Sequence, residues 1–106
     1  MTEQTAQAAE MPAGPATQVI RLEGELTIYR AAELKAQMLP LPADGSAVEI
    51  DLAGVSEIDT AGVQLLLLAR REALAAQRAL RLVGHSRAIR DVLTLLDLHR
   101  ELGPSH

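Results

Sequence analysis

The sequence predicts an α/β fold: a single layer of short strands with helices packed mainly on one face. Three observations carry this. Four segments alternate apolar and polar residues, the period-two signature of strands with one buried side. The stretches between them are rich in strong helix formers with apolar residues at helical spacing. Each strand also keeps a polar face, whereas a sheet covered on both sides would read as continuous apolar runs.

In order, Ile20-Arg21-Leu22 and Leu26-Thr27-Ile28 read as two strands, with Gly24 between them as a hairpin turn. Residues 29–39 place Ala31, Leu34 and Met38 on one helical stripe, and Pro40 and Pro42 end it. Val48-Glu49-Ile50-Asp51-Leu52 is the clearest strand, strictly alternating. Residues 61–78, dominated by Leu, Ala, Arg and Gln, predict the longest helix. Leu80-Arg81-Leu82 is a further strand. Ser86 then caps a third helix whose stripe is Ile89, Val92, Leu93 and Leu96. The order is β-β-α-β-α-β-α, with right-handed crossovers joining parallel partners on both sides of residues 48–52.

At 106 residues there is room for one domain. Leu, Ile and Val make up 29 of the 106 residues, 27%, above the roughly 20% below which highly charged chains stay unfolded. With no Phe, no Trp and one Tyr, Tyr29, the core must be aliphatic. Residues 1–16 read as a flexible leader without the charge and apolar stretch of a signal peptide, so a cytoplasmic location is expected. The folded unit is expected over 17–98. Residues 99–106, containing Gly103-Pro104, are expected to fray.

The segment joining the third expected strand to the long helix stands out: Asp51-Leu52-Ala53-Gly54-Val55-Ser56-Glu57-Ile58-Asp59-Thr60-Ala61-Gly62-Val63. Asp59 or Thr60 opens the helix, where a side-chain oxygen accepts an orphan backbone N–H. Asp51, Leu52, Val55, Ile58, Asp59, Thr60 and Gly62 match the D-L-x-x-V-x-x-I-D-[ST]-x-G pattern of the STAS family. The chain therefore resembles that family, the domain of anti-sigma factor antagonists and of sulfate-transporter tails. Gly24-Glu25-Leu26-Thr27 and Leu82-Val83-Gly84 extend the resemblance over about residues 19–98.

The resemblance implies a layer of about four or five mixed strands and a non-enzymatic regulatory domain that needs no cofactor. It implies Thr60 as phosphoacceptor from a partner kinase of the anti-sigma type, phosphorylation ending the association. Thr stands where the best-known switches carry Ser, and Ala61 where they often carry a second Ser. Threonine also occurs in members that assist lipid transporters and in stand-alone members resembling chemotaxis proteins. The ATPase of a lipid ABC transporter and a chemotaxis array are therefore alternative protein partners. Self-association as a homodimer is left open. Without the family, Thr60 has a plainer role as a helix cap worth about 1 kcal/mol.

At about 100° per residue, Leu65, Leu66, Ala69, Ala73 and Ala76 form one arc expected to face the sheet. Val63, Leu67 and Leu74 fall on a second arc bordered by Arg70, Arg71, Gln77 and Arg78. That strip is either a docking surface or the seat of the first helix. With Asp59, Thr60, Ala61 and Gly62, the residues Val63, Leu67, Arg70, Arg71 and Leu74 make the expected partner-binding set.

Other chemistry is excluded by what the sequence lacks. No cysteine rules out disulfides, thiol catalysis and Cys-ligated metal. His85, His99 and His106 have no helical ligand spacing, so no metal site is expected. A net charge of −4 without a basic block argues against nucleic acid. The longest apolar run, Leu65 to Ala69, is five residues against the roughly 20 that insert into a bilayer. Asp51 and Asp59 lack a neighbouring His or phosphate loop, and Asp51 is expected to brace the loop by accepting backbone N–H groups.

Overall fold

Three parallel strands form the sheet: β1 (Thr17–Leu26), β2 (Ala47–Ile58) and β3 (Leu80–Val83), in that spatial order. The computed structural model describes residues 17–104; the expected leader, 1–16, lies outside the described residues. Helices α1 (Ala31–Met38) and α2 (Thr60–Ala75) make the two crossovers. Two further helices, α3 (Arg87–Leu96) and α4 (His99–Leu102), close the chain.

The α/β layer is as expected, with fewer strands. Among the described residues there are three, all parallel, in place of four or five mixed ones. The reason is local to Gly24. It adopts φ +79°, but within β1, where the pairing with β2 shifts register, and no hairpin forms. The extra residues of the irregular ladder lie on β2, since Glu23 pairs with Gly54 after Arg21 with Asp51, and Glu25 with Glu57 after Gly24 with Val55; Gly24, opposite them, takes a backbone angle that glycine accepts. Arg30 then holds the irregular stretch: its Nη1 donates to the carbonyls of Glu23 and Glu25, both at 2.7 Å. The first short strand read from the sequence lies within β1, and of the second only Leu26 does. Ile28–Arg30, at its end, is a single 3-10 turn.

The sheet is covered on one side. Leu22 and Leu26 of β1, Val48, Ile50 and Leu52 of β2, and Leu82 of β3 are buried in one cluster with residues of all four helices. The other face carries Arg21, Glu49, Asp51 and Arg81. Arg21 lies opposite Asp51 and Arg81 opposite Glu49 in the ladders, with N···O separations of 3.6 Å in both pairs. Such exposed cross-strand pairs contribute at most about 1 kcal/mol each. They make this face stable against water without a covering layer.

Ser86 caps α3 as expected, accepting from the Ile89 N–H at 3.3 Å, and Ile89 and Leu93 are buried. Leu96 points largely to solvent, because the helix is already ending at Asp97 in the left-handed conformation (φ 56°). The chain then continues packing where fraying was expected. Leu102 of α4 is 0% exposed, and the His85 Nε2–H donates to its carbonyl at 2.7 Å. One leucine and one buried hydrogen bond anchor a helix too short to stand alone.

Candidate functional site

The C-terminal ends of β1 and β2 lie side by side, and Asp59 joins them. Its backbone N–H donates to the Leu26 carbonyl at 3.1 Å. Its carboxylate spans the junction: Oδ2 accepts from the Ile28 N–H at 3.0 Å, and Oδ1 from the Gly62 N–H at 3.0 Å. The Ile28 N–H above all, then that of Gly62, hold the Asp59 carboxyl below the usual carboxylate range, since both bonds favour the ionised form. Asp59 is therefore the N-cap of α2 and also the tie between α2 and the turn after β1.

Thr60, the first residue of α2, is exposed, and its hydroxyl makes no hydrogen bond among the described residues. The capping role is Asp59's. Ala61 is half-buried and Gly62 buried. A Cβ on Gly62 would overlap the Leu26 carbonyl oxygen and lie 2.8 Å from Ile58 Cγ1 and 2.9 Å from Leu26 Cβ. Only glycine lets the helix start this close to β1.

The expected strip on α2 is reshaped. Val63 is 2% exposed and belongs to the core, so it offers no surface to a partner. Leu65, assigned to the sheet arc, is half-buried, and Ala76 is exposed; Leu66, Ala69 and Ala73 are buried as expected. The core-facing stripe is thus rotated towards Val63. Leu67 is half-buried and packs on the core cluster. Arg70 is half-buried, Arg71 exposed, and Leu74 61% exposed. The outward row is Thr60, Gln64, Leu67, Arg71 and Leu74, spaced alternately four and three along one helix face. The first helix does not cover it. Lys35 and Leu39, at the end of α1, line a groove with Leu68, Glu72 and Ala76, on another side of α2.

Two neighbours of Thr60 escaped the sequence reading. Ile28 is 59% and Tyr29 93% exposed, on the turn tied to α2 through Asp59. The available signal was that the chain's single aromatic lies outside every apolar stripe. Asp51 plays the bracing part expected of it, accepting the Ala53 N–H at 2.9 Å, and faces Arg21 across the sheet. His85 is engaged with α4, and no cluster of metal-ligating side chains occurs among the described residues. No helix among them is long and apolar enough to cross a membrane.

Comparison with known proteins bears on this arrangement. The profile of a family described as "Mlab, STAS domain" matches residues 10–104. Among solved structures, a sulfate transporter family protein from Wolinella succinogenes is 18% identical at a TM-score of 0.69, covering 96% of this chain and 83% of that one. The anti-sigma factor antagonist SpoIIAA in its unphosphorylated form is 24% identical at a TM-score of 0.61, covering 91% and 85%. The STAS domain of a SulP transporter from Vibrio cholerae is 17% identical at 0.60, covering 92% and 77%. No curated protein sequence matches.

Proposed function

The chain belongs to the STAS domain family, and from that premise we propose that it is a regulatory binding protein switched by phosphorylation of Thr60. Unmodified, it docks on a kinase-type anti-sigma or signalling protein through the α2 row and the Ile28–Tyr29 turn. The phosphate comes from the partner's ATP, so this chain supplies a hydroxyl and no cofactor. The observation that carries the reading is a free, exposed hydroxyl at a helix start to which the exposed apolar Ile28–Tyr29 turn is tied through Asp59.

Electrostatics gives the switch its direction. A phosphate on Thr60 adds about −1.5 to −2 charges at neutral pH. The N-terminus of α2 tolerates an anion there, which leaves the fold standing. Glu57 and the ionised Asp59 face the same solvent and repel it. A docking surface that must shed water thus acquires a strongly hydrated dianion, and its release follows.

A second reading is favoured by the residue at position 60 itself, since threonine stands there in members that assist lipid transporters. In that reading the same surface holds the ATPase of a lipid ABC transporter, and Thr60 is an unmodified contact. The two separate in one experiment. Tagged wild type, Thr60→Ala and Thr60→Glu are used to capture companions from native cytosol, with phosphopeptide mapping of the wild type. The switch predicts one stoichiometric companion held by Thr60→Ala and lost by Thr60→Glu, with phosphate on Thr60. Equal capture by both variants and an unmodified Thr60 would end it.

A further inference from the structure

β1 pairs with β2 on one side, and its other edge is open over its first half. Alternate residues of a strand direct both N–H and C=O to the same side. The Val48 N–H donates to the Ala79 carbonyl at the start of β3. Glu49 and Asp51 therefore turn theirs to β1, where the register sets Gln18, Ile20 and Leu22 to meet them. Thr17, Val19 and Arg21 direct theirs outward, and these groups find no partner among the described residues. Further along, Arg30 closes the strand by holding the Glu23 and Glu25 carbonyls. An open edge rich in β-forming residues is a template for another strand.

The open stretch is complementary to itself. Antiparallel about a two-fold axis at Val19, Thr17 faces Arg21 of a second copy and Val19 faces Val19, each pair exchanging two hydrogen bonds. Every outward N–H and C=O of the three residues is then used, and no like charges meet. With the axis at Ile20 instead, the Thr17 N–H would need the Glu23 carbonyl, which Arg30 already occupies. With the axis at Arg21, two guanidinium groups would stand opposite each other, which is destabilising. Arg30 and Arg21 thus fix the register. Side chains agree with it: Val19, 45% exposed, covers its counterpart on the open sheet face. On the helix side, a hollow of ≈ 410 Å³ lined by Gln18, Ile20, Gln37, Met38 and Pro40 lies against the same stretch and leaves room for the second copy's Ile20. Residues 1–16 compete poorly for this edge, since they consist largely of Ala, Glu, Gly and Pro, types depleted in strands. We propose that two copies of the chain pair through β1 into one continuous sheet.

The test is sedimentation equilibrium of the full chain from about 10 µM to about 1 mM, with amide hydrogen exchange followed by NMR across that range. A dimer at the upper end is expected, with exchange at Val19 and Arg21 slowing as concentration rises and that at Glu25 unchanged. Val19→Pro removes an outward N–H and no bond within the chain, at an edge position that tolerates proline. Val19→Glu keeps the N–H and sets two carboxylates opposite each other. Each should weaken the dimer at least about tenfold, with the melting temperature of the dilute monomer unchanged. A monomer throughout the range overturns the proposal, as does a dimer that both variants retain. Protection of Val19 and Arg21 that is independent of concentration in a monomer would assign the edge to residues 1–16 and overturn it too.

Discussion

One carboxylate carries most of the local order at the site. Asp59 satisfies a donor on α2 and a donor on the turn after β1, so the Thr60 hydroxyl has no structural duty. Thr60→Ala should therefore change stability by no more than about 0.5 kcal/mol in urea unfolding, as for surface positions without a cap or network. A loss near 1 kcal/mol would return Thr60 to the capping role. Gly62→Ala, by contrast, pushes a methyl into the Leu26 carbonyl and the Ile58 side chain. Overpacking of this kind costs about 1–3 kcal/mol, and the same unfolding curves measure it. Asp59, Thr60 and Gly62 stood out in the sequence because a polar pair and a glycine open a strong helix. Which oxygen caps was not legible, since either side chain can accept, and the end of β1 decides it by presenting the Ile28 N–H.

Along α2 the periodicity located two faces and placed their border wrongly. Val63 was read as surface because its angle lies near Leu67 and Leu74 on a helical wheel. It is buried because the close approach at Gly62 tips the helix start onto β1. The two outward leucines consequently differ. Leu67→Ala should cost about 1–2 kcal/mol, below the range for fully buried leucine because the side chain is only half-buried. Leu74→Gln should stay within about 0.5 kcal/mol, making it the cleaner probe of docking. Thermal unfolding of the two variants checks the contrast. At the chain's end, α4 was missed because Gly103-Pro104 and short length outweigh one leucine in any pattern. Deleting residues from 99 onward removes buried Leu102 and leaves the His85 N–H without its acceptor. A loss of at least about 2 kcal/mol is expected, read from the urea midpoint.

For the whole molecule, acid is the informative stress. Asp44, through the Ser46 hydroxyl and then its N–H, and Asp59, through the Ile28 N–H, both have carboxyl pKa values below the ordinary one. The folded state thus holds fewer protons than the unfolded chain in acid. Their stabilisation is complete above about pH 4, the unfolded value, and is lost as pH falls through the lowered native values. Urea midpoints of the wild type should drop across that window. Asp59→Asn and Asp44→Asn should each flatten the drop, whereas a slope unchanged in both would remove these carboxylates as its source. The one-sided sheet was visible at this scale, since charged residues alternate with apolar ones in every strand. Its strand number was not, because Gly24 reads equally as a turn or as an irregular point within one strand, and Arg30 holds that point from six residues away.

Alternation, helix-former content and the Asp-Thr-x-Gly junction were enough to specify an α/β layer and its family, and they singled out the junction at Thr60 as the candidate site. These are short-range signals, in which each residue's fate follows from its near neighbours. The folded chain alone settled which side chains near Thr60 reach solvent, that the Ile28–Tyr29 turn is tied to the start of α2 through Asp59, and that Leu102 is pinned inside. Those outcomes depend on contacts between residues far apart in the chain, 31 positions for the bond from the Ile28 N–H to Asp59 and 17 for that from His85 to the Leu102 carbonyl. No local pattern encodes such contacts, because their energy exists only once the distant segments are brought together.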